Sequence, residues 1–202
     1  MGTPWRARTI YHEIRSTKAP SPVHPHTGYD YSQAGAYFIT LVTHGGACLF
    51  GGVVDGEVRL SDFGLIADEC WRLIPEHFPA VELSAYVVMP NHVHGIIILH
   101  DRDGRGTPDN HSTGTTYRAR TPVEQFQKPT VGSIPTIIRT YKAAVTRRIG
   151  RELNFINIWQ RNYYEHIIRS DAEHARIHLY IESNPAIWMS DDQNPQNPPS
   201  KP

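Results

Sequence analysis

Apolar positions in this chain change their spacing from two to between three and four and back again, and each change marks the boundary of an element. Tyr37-Phe38-Ile39-Thr40-Leu41-Val42 is rich in β-branched and aromatic side chains and predicts a strand. Leu49 to Val54, Asp55-Gly56 and Glu57 to Leu60 predict a hairpin, because Asp-Gly accepts the backbone of a two-residue turn. Ser61 is placed to cap a helix in which Leu65, Ile66, Cys70, Leu73 and Ile74 fall at helical spacing before Pro75 and Pro79 end it. Val81 to Met89 and His94 to Leu99 predict two more strands, with Pro90-Asn91 as a turn or bulge and His92 at the start of the second.

Further on, Ser133 opens a helix whose apolar stripe is Ile134, Ile137, Ile138, Tyr141, Val145 and Ile149, with Gly150 as its stop. Tyr163 to Ile168 predicts a last strand. Ser170-Asp171-Ala172-Glu173 is a capping box, and the helix it opens runs to Ser183 or Asn184 before Pro185. This order, with no repeat and no glycine-rich phosphate loop, predicts an α+β fold, ferredoxin-like, with helices packed on a mainly antiparallel sheet. The flanks read differently. Residues 1–27 hold several prolines and arginines without periodicity and predict a flexible arm; residues 101–131 and 189–202 are polar and predict a disordered insertion and a disordered tail. One domain over 28–188 remains.

Twenty basic residues balance twenty acidic ones, which by itself argues against a nucleic-acid partner. The distribution reverses this. Between Ser133 and Arg169, Arg139, Lys142, Arg147, Arg148, Arg151, Arg161 and Arg169 face only Glu152 and Glu165, and a phosphate backbone responds to local charge. Trp159, Tyr163 and Tyr164 lie among them, and basic grooves with aromatic platforms hold single strands. Arg139, Lys142, Arg147, Arg148 and Arg161 are therefore the candidate DNA contacts. Cys48 and Cys70 form no paired motif, and no stretch approaches the roughly 18 to 20 apolar residues of a membrane span. A soluble cytoplasmic protein is expected.

The candidate chemistry centres on Asn91-His92-Val93-His94-Gly95. In a strand, His92 and His94 share a face while Val93 points to the other, so two imidazoles supply part of a metal shell. Asn184 offers a hard carbonyl oxygen that completes a His-His-Asn site for Mg²⁺ or Mn²⁺, and Tyr180, one helical turn away, is then a phenolic nucleophile.

Four stretches in this order resemble the REP-associated tyrosine transposases of the single-tyrosine HUH group. They are Tyr86-Val87-Val88-Met89-Pro90-Asn91-His92-Val93-His94, the basic helix from Ile137 to Arg148, Trp159 to Arg169, and Tyr180-Ile181-Glu182-Ser183-Asn184-Pro185. The resemblance implies an HUH-endonuclease type of domain with His92 and His94 as the metal motif, Asn184 as the helix-borne ligand and Tyr180 as the catalytic residue. It further implies cleavage and rejoining of single-stranded DNA at or beside palindromic hairpins through a 5′-phosphotyrosine, with the protein a monomer or homodimer.

Competing readings have specific costs. His24-Pro25-His26 repeats the spacing within a Pro-rich arm and is given no metal role. His178 and Glu182 are fallback ligands, and Tyr163 and Tyr164 rival nucleophiles, but only Tyr180 shares a helix face with a candidate ligand. A nucleotide hydrolase of the histidine-triad kind would want a third alternating histidine where this chain has Ile96. A domesticated hairpin-DNA-binding protein without catalysis is the alternative function.

Overall fold

A computed structural model of the chain describes residues 31–101, 130–191 and 193–197. The expected N-terminal arm and nearly all of the expected insertion lie outside the described residues. Ten labelled elements follow: β1 (Gly35–Val42), β2 (Gly51–Val54), β3 (Glu57–Leu60), α1 (Asp62–Arg72), α2 (Ile74–His77), β4 (Val81–Val88), β5 (His92–Leu99), α3 (Ile134–Leu153), β6 (Tyr164–Ile168) and α4 (Asp171–Ile187). Short 3-10 turns occupy His44–Gly46 and Trp188–Ser190.

β4, β5, β1 and β6 pair in that spatial order, every neighbour antiparallel. Counting only these four strands, the order is second, third, first, fourth, which is the ferredoxin-like arrangement expected from the sequence. β2 and β3 form a separate hairpin whose turn residues, Asp55 and Gly56, both have positive φ, as the Asp-Gly pair predicted.

Strand alternation sorts side chains into two layers. Tyr37, Ile39, Leu41, Val93, Ile97 and Leu99 pack with α1 and α3 in the larger core. Phe38 and Ile96 pack with Ile177, Tyr180 and Ile181 of α4 in the smaller one. Between Leu83 and Tyr86 the β4 register slips, so that both, though three apart, reach the larger core. Gly95 has a steric reason: a Cβ there would overlap the ring of Trp71, which is fully buried beneath the sheet.

Four boundaries depart from the sequence pattern. Pro75 does not end a helix but opens α2, because proline suits a first turn whose N–H groups lack partners. α3 continues through Gly150 to Leu153, whose side chain packs on the core, and ends at Asn154 in the left-handed conformation. α4 continues through Pro185 to Ile187, carrying Trp188 to a buried position; tertiary packing outweighs the local cost of proline. Finally, the expected disordered tail is in part packed: Asp191 and Asn194 are 6% and 3% exposed, since each caps backbone groups of its own turn.

Candidate active site

His92 and His94 sit at the first and third positions of β5, opposite Val42 and Thr40 of β1, with ring centroids 4.4 Å apart. Both are wholly buried, on the face covered by α4 rather than the face covered by α1 and α3. The Ser170 hydroxyl accepts the N–H of Glu173 and starts α4 as expected. The Glu173 carboxylate reaches the N–H of Arg169, one residue before the cap, and also meets His166 at 2.7 Å. Burial alone would raise this carboxyl, but those two partners hold it below the usual range.

Along α4 and onto its C-cap, Tyr180, Asn184 and Trp188 fall on successive turns of one face. The Tyr180 hydroxyl lies 3.1 Å from Nε2 of His94, and the Trp188 ring lies 6.0 Å from that of His92. Asn184 lies between them on that face of the helix. It is wholly buried; its Nδ2 donates to Oδ2 of Asp191 at 3.5 Å, and its Oδ1 has no hydrogen-bond partner among the described residues. A buried amide oxygen with two vacant lone pairs costs about 1–3 kcal/mol unless a donor or cation meets it.

The tautomer of His92 follows from its neighbour. Asn91 spends both Nδ2 protons, on the carbonyls of Gly46 (3.1 Å) and Gln193 (2.6 Å), so its amide has one orientation and its Oδ1 can only accept. That oxygen lies 2.8 Å from Nδ1 of His92, which must then be the protonated nitrogen. In the neutral ring Nε2 then keeps the lone pair. Nδ1 of His94 contacts the Thr40 hydroxyl at 2.9 Å, leaving its Nε2 toward Tyr180.

Other candidates stand elsewhere. His178 and Glu182 pair with each other at 3.2 Å on the outer side of α4. Tyr163 packs in the larger core on the far side of the sheet, whereas Tyr164 pairs with Thr40 and packs on Phe38 on the histidine side. Of the expected DNA contacts, Arg139, Arg147 and Arg161 are exposed. Arg148 bridges Glu69 at 2.7 Å and Glu152 at 3.3 Å. Lys142 donates to the carbonyls of Gln160 and Asn162 at 2.9 and 3.1 Å and lies 5.9 Å from the ring centroids of Trp159 and Tyr163; burial pushes its ammonium down to about 8. It pins the connector before β6.

α3, which carries four of these five residues, covers the face opposite the histidines. Arg161 is different. Its connector is tied to the end of β1 by the Gln160 N–H to Val42 carbonyl bond, and Val42 is the partner of His92. Sequence reasoning gave no role to Thr40, Asn91, Trp188, Asp191 or Gln193. Only Asn91, a carboxamide directly before the first histidine, carried a local signal.

An antiparallel ferredoxin-like sheet presenting two alternating histidines to a helix-borne tyrosine is the HUH-type arrangement expected from the sequence. No family model matches the chain. An uncharacterised protein of Haemophilus influenzae is 38% identical over 164 residues, which span 81% of this chain and 87% of the relative. A second protein of that organism, named for the REP-associated tyrosine transposases, is 27% identical over 156 residues, covering 77% of this chain and 73% of its own. The solved structure of a REP-associated tyrosine transposase bound to a REP hairpin shares the fold, with a TM-score of 0.51 at 18% identity over 83% of this chain and 73% of that one. The chain is thus similar over most of its length to the REP-associated tyrosine transposases, in sequence to the second of these relatives and in fold to the solved one. Among the described residues, no helix is long and apolar enough to cross a membrane.

Proposed function

We propose that this protein cleaves and rejoins single-stranded DNA at or beside palindromic, REP-like hairpins, in a reaction that depends on Mg²⁺ or Mn²⁺. The observation that carries this reading is the 3.1 Å contact between the Tyr180 hydroxyl and Nε2 of His94, which puts a phenol against one of two imidazoles able to hold a cation. Among the described residues, no three histidine, cysteine, aspartate or glutamate side chains gather into a cation site. A shell built on His92 and His94 therefore needs the amide oxygen of Asn184, and that oxygen is buried without a partner. Two neutral nitrogens and one neutral oxygen suit a divalent ion that keeps open positions for phosphate. When bound, the cation would polarise the scissile phosphate and stabilise the departing oxygen.

The chain supplies the nucleophile. The Tyr180 oxygen forms a bond to phosphorus as the bond from phosphorus to the 3′-oxygen breaks, leaving a 5′-phosphotyrosine and a 3′-hydroxyl. One proton leaves the phenol and one joins the 3′-oxygen, so the step is balanced overall. The covalent link conserves the phosphodiester for rejoining, which hydrolysis would lose. Phe38 packs edge-on to the Tyr180 ring at 6.2 Å and limits where the hydroxyl can point.

The similarly folded transposase solved with a REP hairpin supports a hairpin partner for this chain. Arg139, Arg147 and Arg161 are the exposed cations that would meet its phosphates. A stem held by α3 would reach the site through a single-stranded flank passing round the sheet edge. Tyr180, His92, His94 and Asn184 are at most 1% exposed, so catalysis requires α4 to ease away from the sheet when DNA enters.

Incubation with Mn²⁺ and a hairpin oligonucleotide bearing a single-stranded flank should yield a covalent adduct that survives denaturing electrophoresis. Tyr180→Phe should abolish it. An adduct that persists in this variant would refute the nucleophile, and no adduct with the unaltered protein on any hairpin flank would refute the chemistry.

A further inference from the structure

The chain beyond α4 has no role in the reading above, yet it touches both ends of the site. Asp191 is 6% exposed, and its two carboxylate oxygens do different work: Oδ1 accepts the N–H of Gln193 at 2.7 Å, and Oδ2 accepts Nδ2 of Asn184 at 3.5 Å. Asn197 Nδ2 donates to the backbone carbonyl of Asp191 at 2.8 Å, and Asn194 Nδ2 to that of Trp188 at 3.2 Å, so the turn is held on the helix end. The carbonyl of Gln193, positioned by that turn, accepts a hydrogen bond from Nδ2 of Asn91 at 2.6 Å.

We propose that this turn is an outer clamp of the cation site, with Asp191 and the Gln193 carbonyl orienting two ligand groups through Asn184 and Asn91. The proposal rests on the metal-dependent reading above. An amide can present either its oxygen or its NH₂ group to a given point, and the two differ by rotation of one side chain. With Nδ2 of Asn184 turned to the Asp191 carboxylate, its Oδ1 is the buried atom left to meet a cation. With Nδ2 of Asn91 spent on the carbonyls of Gly46 and Gln193, its Oδ1 holds His92 as the Nδ1–H tautomer, and the Nε2 lone pair is the one offered. Partners of this outer kind are commonly worth about 10- to 100-fold in metal affinity.

The chemistry of the donors separates orienting from binding. If Asp191 only orients Asn184, Asp191→Asn, which retains an amide oxygen to accept from Asn184, should keep most of the affinity, while Asp191→Ala should lose about tenfold. Mn²⁺ titration calorimetry on the full chain reads both. Hairpin binding without metal should be unchanged in each, which shows that they fold. Equal losses in the two variants would mean that the carboxylate itself binds the cation, and affinity within about twofold in Asp191→Ala would mean no clamp; either overturns the proposal.

A second readout needs no metal. The ¹⁵N shifts of His92 in the metal-free full chain should show only the Nδ1–H tautomer, and in Asn91→Ala a mixture. An Nε2–H tautomer in the unaltered protein overturns the clamp even if Mn²⁺ binds. The expected tautomer in a protein that fails to bind Mn²⁺ would instead leave the clamp and sink the metal-dependent reading.

Discussion

The hydroxyl of Tyr180 and Nε2 of His94 stand 3.1 Å apart in the buried layer between α4 and the sheet. As a cation ligand that nitrogen would use its one lone pair, which can serve the phenolic proton or the ion but not both. Losing a hydrogen bond of about 1 kcal/mol should leave the nitrogen more available by about fivefold. Tyr180→Phe is therefore expected to bind Mn²⁺ about fivefold more tightly while forming no adduct. Weaker binding, read by calorimetry, would show that the phenol helps to hold the ion.

Gly95 and Trp71 make a prediction about stability. The position lies between His94 and Ile96 on β5, but its open side faces the larger core, where the Trp71 ring fills the space that a methyl group would need. Trp71 is also held edge-on by Tyr141 at 5.2 Å, so it has little room to shift. Gly95→Ala should cost roughly 1–3 kcal/mol in denaturant melts, and trimming the ring in Gly95→Ala/Trp71→Phe should recover part of that. A single variant as stable as the parent would mean that the indole moves freely.

Lys142 should make stability depend on pH. Its folded pKa of about 8 lies below the ordinary 10.5, so between these values the unfolded chain binds more protons than the folded one. The contribution of this group then rises with pH from about 8 to about 10.5 and is flat below that window. Lys142→Met should remove the rise, seen as a smaller gain in stability between pH 7.5 and pH 10 than in the parent. Parallel curves would contradict the burial.

The arginines should divide by their partners. Arg147 and Arg161 are exposed and neither forms a salt bridge among those described, whereas Arg148 is engaged by Glu69 and Glu152. In hairpin titrations at several salt concentrations, Arg147→Ala and Arg161→Ala should each lower the salt slope by about one. Arg148→Ala should change the slope less. Equal effects from all three would show that DNA pulls Arg148 from its carboxylates.

Sequence by itself determined much of this protein, for reasons that are local. Period-two runs gave the strands, the Asp-Gly turn gave the hairpin, and Ser170 with Glu173 gave the start of α4. The alternation of His92, Val93 and His94 by itself puts both imidazoles on one face. Helical spacing likewise put Tyr180 and Asn184 in line. What lay beyond reach was anything requiring two distant segments at once. Spacing along one helix could not say that α3, with its arginines, covers the face opposite the histidines, because strand order and crossover decide which face a helix covers. Composition could not show that a polar stretch after Trp188 packs into a turn around Asp191, since its partners, Asn91 and Asn184, are donors set by the folded sheet and helix. The same limit hid the proton on His92. A tautomer is fixed by which atoms stand opposite each ring nitrogen, and only the tertiary structure brings Gly46, Asn91 and Gln193 together to fix it.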